Sequence, residues 1–506
     1  MFDKNIQLDN IKNSIYSSKK YLMGYLIAIV IISLILMNHN NYLNPKFEIL
    51  IILFLLIIGL IFIISYPNHI ELYKLVFLMI LCFGIISSFL SPFCIVPDEQ
   101  EHLVRSEITS RGVLIPQYHN NSFETIQSVN DIISNQGNTF LTSDLSTTNI
   151  NNSQSYYHSA FAQNPFFGYI FQALGIILAK LLDLSSIWIL YFGRIMNCLL
   201  YAFLAMLAIK ISPILKVQLS VVACMPLAIF QIASLSIDST IFGFALLGIA
   251  YFLFMFKSQK ESLDYKNVLI FIIICLILGL SKLPYLAFIL LLLFIPKENY
   301  KGNNYYILCI LSIGGLLAIG LLWNHYYASP NLLHSFRQDY CIANNVSQVM
   351  QLGFMKNHIT NVFIMLFQFP NYFIVHVTGL WIFSYSEYQF SSDFLKLIYF
   401  LFIFLTFCFN RCNEKYSLKF RAGIGIICLI IFYATYIIQL LCWTPVGQFY
   451  PILGVQTRYF IPLFALIPFI FGMNIKKDFW LDDRLIIIIS IFFMASFIIL
   501  ECAKFY

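Results

Sequence analysis

The chain has 506 residues, of which 60% are hydrophobic and 11% charged, and its mean hydropathy is +0.80. No soluble fold of that length hides so much apolar surface, which excludes a soluble enzyme and points to an integral membrane protein. The net charge of +6 is spread over short loops, gives no sign of a nucleic-acid partner, and serves instead as a guide to topology.

Residues 1–20 are polar and end in Lys19-Lys20, which places them on the cytoplasmic side. The apolar run that follows leads into more of the same, so this start does not read as a cleavable signal peptide. Runs at 21–37, 48–66 and 75–93 are each long enough to cross a hydrocarbon core of about 30 Å. They carry the chain out, in and out. Residues 94–187 then read as a large extracellular loop. Its part 95–165 is rich in Asn, Ser, Gln and Thr and is too long for a connector, so function is expected there.

Residues 165–182 are apolar but short, and are expected to lie in the outer interface. Charge sets that choice: with 188–209 as the next, inward span, Lys210 and Lys216 fall in the cytoplasm. Lys257, Lys260, Lys266, Lys297 and Lys301 then fall inside as well, followed by Arg411, Lys415, Lys419, Arg421, Lys476, Lys477 and Arg484. The outer side receives Asp238, Lys282, a loop at 324–393 and residues 443–457. Residues 357–385, apolar and aromatic, are expected as a second interfacial helix. The fold expected is an all-α polytopic membrane protein of about 13 transmembrane helices. Its parts are a cytoplasmic segment 1–20, three transmembrane helices over 21–93, the loop 94–187, and a transmembrane bundle over 188–501 with the C-terminus outside. The 12 cysteines lie mostly in apolar runs without metal-ligand spacing and read as small core residues.

Where the third span ends, the chain reads Pro97-Asp98-Glu99-Gln100-Glu101-His102. If Pro97 opens a helix, Asp98 and His102 share a face, as do Glu101 and Arg105. Acidic residues also suit the positive end of a helix, so an ordinary capped helix start is the plain structural reading. Four further residues fall at outer span ends: Arg194, Asp238, Lys282 and Arg458. Each has a plain reading too: a snorkelling arginine, a helix N-cap, an inter-helix turn beside Pro284, and an interfacial anchor with Tyr459. Together they gather both signs of charge at one membrane face, where ionisable groups are costly. A site that handles a phosphate ester in lipid needs that mixture. Cations neutralise a phosphate leaving group, and a carboxylate deprotonates a hydroxyl or holds a metal.

These residues resemble two groupings. The acidic Pro97-Asp98-Glu99 and His102 after a span are similar to the first-loop motif of GT-C glycosyltransferases, multi-pass enzymes that use polyprenyl-phosphate-linked sugars. The chain more closely resembles a domain-of-unknown-function family of predicted multi-pass prokaryotic membrane proteins grouped with them. The matching pieces continue with Asn164-Pro165, Tyr169, Gln172-Ala-Leu-Gly175, Gly193-Arg194, Asn197, Ser236, Asp238 and Ser281-Lys282. Pro284-Tyr285, Trp443-Thr-Pro-Val-Gly447 and Gly454-Val-Gln-Thr-Arg-Tyr-Phe460 complete the order. The chain departs from the family at Gln163-Asn164-Pro165, where a tyrosine and two prolines are usual, and in its two additional N-terminal spans.

The resemblance implies a GT-C-like bundle and an inverting glycosyltransferase in the plasma membrane. Its donor would be a polyprenyl-phosphate sugar, and its acceptor a cell-surface glycan, lipid or protein on the outer face. Asp98 would be the base or a metal-holding carboxylate, Glu99 its partner, and His102 a group that orients Asp98 or touches phosphate. Asp238 would position acceptor or metal. Lys282 and Arg458 would bind the lipid phosphate, with Arg194, Gln456 and Tyr459 as further substrate contacts. The resemblance leaves a divalent metal (Mn²⁺ or Mg²⁺) open, with Asp98 and Asp238 as its candidate ligands. Two other classes stay in play: a transporter or flippase of a lipid-linked glycan or anionic solute, and an oligosaccharide polymerase or ligase.

Overall fold

The computed structural model describes residues 4–37, 45–66, 68–120, 122–159, 161, 164–302, 304–328, 337–372, 393–409, 416–471 and 482–506. Parts of the expected segments 324–393 and 357–385, together with Gln163, Arg411, Lys415, Lys476 and Lys477, lie outside the described residues.

The helices α1 (Lys4–Met37), α2 (Pro45–Ser65) and α3 (Leu72–Leu90) come first. Helix α3 ends because Ser91 turns extended ahead of Pro92, whose ring disfavours helix in the residue before it. The motif turn leads into α4 (Glu99–Ser110). The polar segment then folds as an antiparallel sheet of β1 (Tyr118–His119), β2 (Ser122–Ile126) and β3 (Gln154–Tyr157) in the order β1-β2-β3, with α5 (Gln127–Ser134) between its strands. An all-α reading missed this sheet. Strand β2 is buried on both faces, at Phe123 and Thr125 on one and at Ser122 and Ile126 on the other, so it lacks the alternation that marks a strand.

The remainder comprises α6 (Ile170–Leu181), α7 (Ile187–Ile211), α8 (Lys216–Ala223), α9 (Pro226–Ile232), α10 (Asp238–Phe256) and α11 (Tyr265–Ser281). It continues with α12 (Asn304–Trp323), α13 (Arg337–Ala343), α14 (Gln348–Asn357), α15 (Ile359–Tyr372), α16 (Asp393–Cys408), α17 (Leu418–Trp443), α18 (Ile467–Phe471) and α19 (Asp483–Phe505). Leu283–Phe294 and Thr457–Leu466 are wound as tighter 3-10 helices.

Among the described residues, eight helices (α1, α2, α3, α7, α10, α12, α17 and α19) are long and apolar enough to cross a membrane by length and composition. The sequence expectation of about 13 exceeds this because it also counts apolar runs that fold as shorter helices, such as Tyr265–Ser281 and Leu283–Phe294. Several of those runs are cut. Lys282 separates α11 from Leu283–Phe294, Pro226 opens α9 just after α8, and Pro462 lies within Thr457–Leu466.

The contacts sort the helix ends into two sets. Arg484 at the start of α19 reaches Ser18 and the Ile63 carbonyl, and Lys210 lies over the Tyr73 ring. Lys260 pairs with Glu298, and Leu263 bonds to Asn299, so α11 and Leu283–Phe294 form a hairpin that returns to its starting level. At the opposite end, Glu501 of α19 accepts from Ser87 and Ser91, beside the motif. Lys210, Lys260 and Arg484 thus share one end, and Asp98, Asp238, Lys282 and Arg458 share the other. Short helix α6 stays at the motif end. It packs on the N-terminal half of α7, where the Phe192 carbonyl lies 2.2 Å from where a Cβ on Gly175 would stand.

Candidate active site at the motif end

Asp98 is the N-cap of α4, with φ 66° and ψ 9°. Aspartate tolerates this left-handed conformation better than most residues. The Asp98 carbonyl accepts from the Glu101 and His102 amides at 3.1 and 3.2 Å, and the helix begins at Glu99 rather than at Pro97. The Asp98 side chain is 35% exposed and faces the cavity described below.

Glu99 and Arg194 are both fully buried and bound to each other. Arg194 Nε and Nη2 donate to Glu99 Oε1 and Oε2 at 2.7 and 2.6 Å. The remaining guanidinium donors meet the carbonyls of Ser88, Ser91 and Pro92. The pair therefore pins the motif turn to the end of α3 and the start of α7. Neither residue lines the cavity.

Arg458 is 3% exposed and sits between two other carboxylates. Its Nη2 meets Asp98 Oδ2 at 2.5 Å, and its Nε lies 3.4 Å from Asp238 Oδ2. Its Nη1 donates to Gln231 Oε1 at 2.9 Å and to the Pro97 carbonyl at 3.2 Å. Four segments are thus tied at one guanidinium: the motif turn, α9, α10 and Thr457–Leu466. Lys282 stands at the tip of the α11 hairpin with Nζ 2.9 Å from the centre of the Tyr459 ring. Unlike Arg458, it has no carboxylate partner among the described residues.

His102 stacks on Phe161 at 5.4 Å and its Nδ1 lies 2.8 Å from the Tyr169 hydroxyl. That hydroxyl accepts from Asn164 Nδ2 at 2.9 Å, which leaves its own proton for His102. Burial pushes the His102 pKa down to about 4, against the opposing pull of Asp98 and Asp238, so the imidazole is neutral near pH 7.

Asp98, His102, Asp238, Lys282, Gln456, Arg458 and Tyr459 all line one cavity of about 700 Å³. The aromatic residues Trp323, Tyr340 and Trp443 and the apolar residues Ile237, Ile241 and Ile438 line it as well. Gly454, at φ 81°, keeps the entry turn close: a Cβ there would come within 2.9 Å of Trp443. The sequence reading overlooked Gln231, whose signal was an amide inside the apolar run Pro226–Ile232, and gave no role to Tyr169, Asn164 or Trp443. As placed, Asp98 and Asp238 do not fit a divalent metal, because the Arg458 guanidinium supplies the positive charge against both.

The arrangement is capable of acid–base and anion chemistry. Asp98 has one oxygen on Arg458, and its other oxygen makes no protein hydrogen bond among the described residues. A hydroxyl in the cavity could give its proton there. Lys282 and Arg458 could neutralise a phosphate beside it.

A protein family described as "Predicted membrane protein (DUF2142)" matches residues 81–467. No curated protein and no solved structure matches the chain.

Proposed function

We propose that this chain, which belongs to the family of predicted membrane proteins just described, is a glycosyltransferase of the GT-C kind its sequence resembles. It moves a sugar from a polyprenyl-phosphate donor to a glycan, lipid or protein acceptor at the outer face of the plasma membrane. The observation that carries this reading is the pairing, in one cavity, of a carboxylate with one oxygen open (Asp98) and a lysine (Lys282) that has no carboxylate within ion-pair distance among the described residues.

An acceptor hydroxyl enters beside Asp98. Its oxygen attacks the anomeric carbon from the face opposite the phosphate, and the bond from that carbon to the phosphate oxygen breaks. The electron pair leaves with the polyprenyl phosphate, and the hydroxyl proton passes to Asp98. Lys282 and Arg458 stabilise the charge that gathers on the leaving phosphate. Trp443 and Tyr340 contact the sugar, and the apolar lining at Ile237, Ile241 and Ile438 receives the first lipid units. Neutral His102 holds Tyr169 and the α4 start in place. Glu99 and Arg194 hold the motif turn and do not touch substrate.

The test is transfer of label from radiolabelled polyprenyl-phosphate sugars in membranes, comparing wild type with Asp98→Asn. Transfer by wild type, reduced at least about 1,000-fold in Asp98→Asn, is the expected result. Label that changes leaflet while staying on its lipid, in both proteins alike, would replace this reading with a flippase.

A further inference from the structure

We infer that Arg458 is the built-in cation of the Asp98–Asp238 site and occupies the place that a divalent metal would otherwise take. The inference goes beyond the transferase reading and does not depend on it.

Two carboxylates turned toward one point, with a histidine nearby, ordinarily suggest a metal. Here the point is taken. The guanidinium reaches Asp98 Oδ2 at 2.5 Å and Asp238 Oδ2 at 3.4 Å with two different nitrogens, so a single side chain spans both. It is not a long surface side chain swung in by chance. Arg458 is 3% exposed, and Nη1 is fixed from the other side by the Gln231 amide oxygen and the Pro97 carbonyl. To admit a dication, the guanidinium would have to leave four partners and be buried elsewhere or lie next to the ion.

Charge leads to the same conclusion. Among the described lining residues, Asp98 and Asp238 are faced by Arg458 and by Lys282, whose pKa burial pushes down to about 7, with His102 neutral. An added dication would leave the cavity strongly positive. A phosphodiester adds a single negative charge, which two cations can share with the carboxylates. His102 is also committed, through Nδ1 to Tyr169. The device resembles a bridging metal in function: it holds two carboxylates at a fixed separation and faces an anion. It differs in being unable to dissociate, exchange or be chelated.

The consequence can be read without any activity. Removing the guanidinium leaves buried Asp238 and part-exposed Asp98 without their shared cation, and that pair should then take up a metal. Purified full-length protein in detergent is titrated with MnCl₂ and followed by thermal unfolding and by the Mn²⁺ electron paramagnetic resonance signal. Wild type should be indifferent to Mn²⁺ and to EDTA. Arg458→Ala, or Arg458→Gln if the first does not accumulate, should unfold at a lower temperature and recover several degrees when Mn²⁺ is added. The recovery should vanish in Arg458→Ala combined with Asp238→Asn.

Stoichiometric Mn²⁺ binding by wild type that disappears in Asp98→Asn would overturn the inference, since the guanidinium would then give way to a native metal. So would an Arg458→Ala protein that folds and gains no affinity for Mn²⁺, because the carboxylates would not share a cation position. Loss of glycosyl transfer with these metal responses intact would count against the proposed reaction and leave the role of Arg458 standing.

Discussion

Asp98 and Glu99 are neighbours in the chain and end in different surroundings. Glu99 is sealed against Arg194, 95 residues away, while Asp98 keeps one oxygen open to a cavity. Breaking the sealed pair strands a buried charge. Glu99→Gln or Arg194→Met should therefore cost about 3–5 kcal/mol of stability, seen as a lower unfolding temperature in detergent. Asp98→Asn should leave that temperature nearly unchanged, because its side chain is part-exposed and Arg458 retains Asp238. An equal loss in Asp98→Asn and Glu99→Gln would contradict this division of roles. His102 yields a pH prediction. Its folded pKa, about 4, lies below the ordinary value of 6.5, so the unfolded chain binds the proton more readily. Its contribution is complete above pH 6.5 and is lost as pH falls toward 4, by at most about 3 kcal/mol. His102→Gln should flatten stability against pH across that window. Asp98, Asp238, Lys282 and Arg458 were legible in the sequence because charges stand out in an apolar chain. The Glu99–Arg194 pairing was not, since nothing local couples residues so far apart. Gln231 was missed because an uncharged amide in an apolar run carries no topological cost that a charge count would register.

Helix packing holds the site's parts in register. Gly175 lets α6 lie against α7, with the Phe192 carbonyl where a side chain would need to be. Gly175→Val should push the two helices apart and reduce accumulation of folded protein severalfold on size-exclusion profiles. Gly425→Val in α17 meets nothing within 4 Å and should be tolerated as the control. The elements also mark where sequence reading ran out. The apolar runs at 21–37, 48–66 and 75–93 fall on α1, α2 and α3, although α1 already begins at Lys4, within the polar segment. The hairpin at Lys282 follows the sequence reading, which sets Lys266 and Lys297 on one side and Lys282 on the other; the tighter 3-10 winding of Leu283–Phe294 left no signal in hydropathy. The small sheet was lost because its central strand is buried on both sides and carries no alternating pattern.

Across the whole molecule, Lys210, Lys260 and Arg484 lie at one end of the bundle, where Lys260 pairs with Glu298, while Asp98, Asp238, Lys282 and Arg458 meet around a cavity at the other. The family match over residues 81–467 covers every residue of that cavity. Helices α1 and α2 precede it and α19 follows it, and these three pack together at the side of α3. They support the bundle through Tyr25, Leu55 and Phe497 without lining the cavity. Lys282→Met should weaken use of a lipid-phosphate donor, raising its KM about 10-fold or more, while leaving the unfolding temperature close to wild type. The most direct measurement supplies purified protein in lipid nanodiscs with a polyprenyl-phosphate sugar and a mixed cell-surface glycan acceptor. Free polyprenyl phosphate is then quantified for wild type and for Asp98→Asn. The account predicts acceptor-dependent release of polyprenyl phosphate by wild type and almost none by the variant. Equal release by both proteins, or none from any donor while the intact lipid crosses the bilayer, would contradict it.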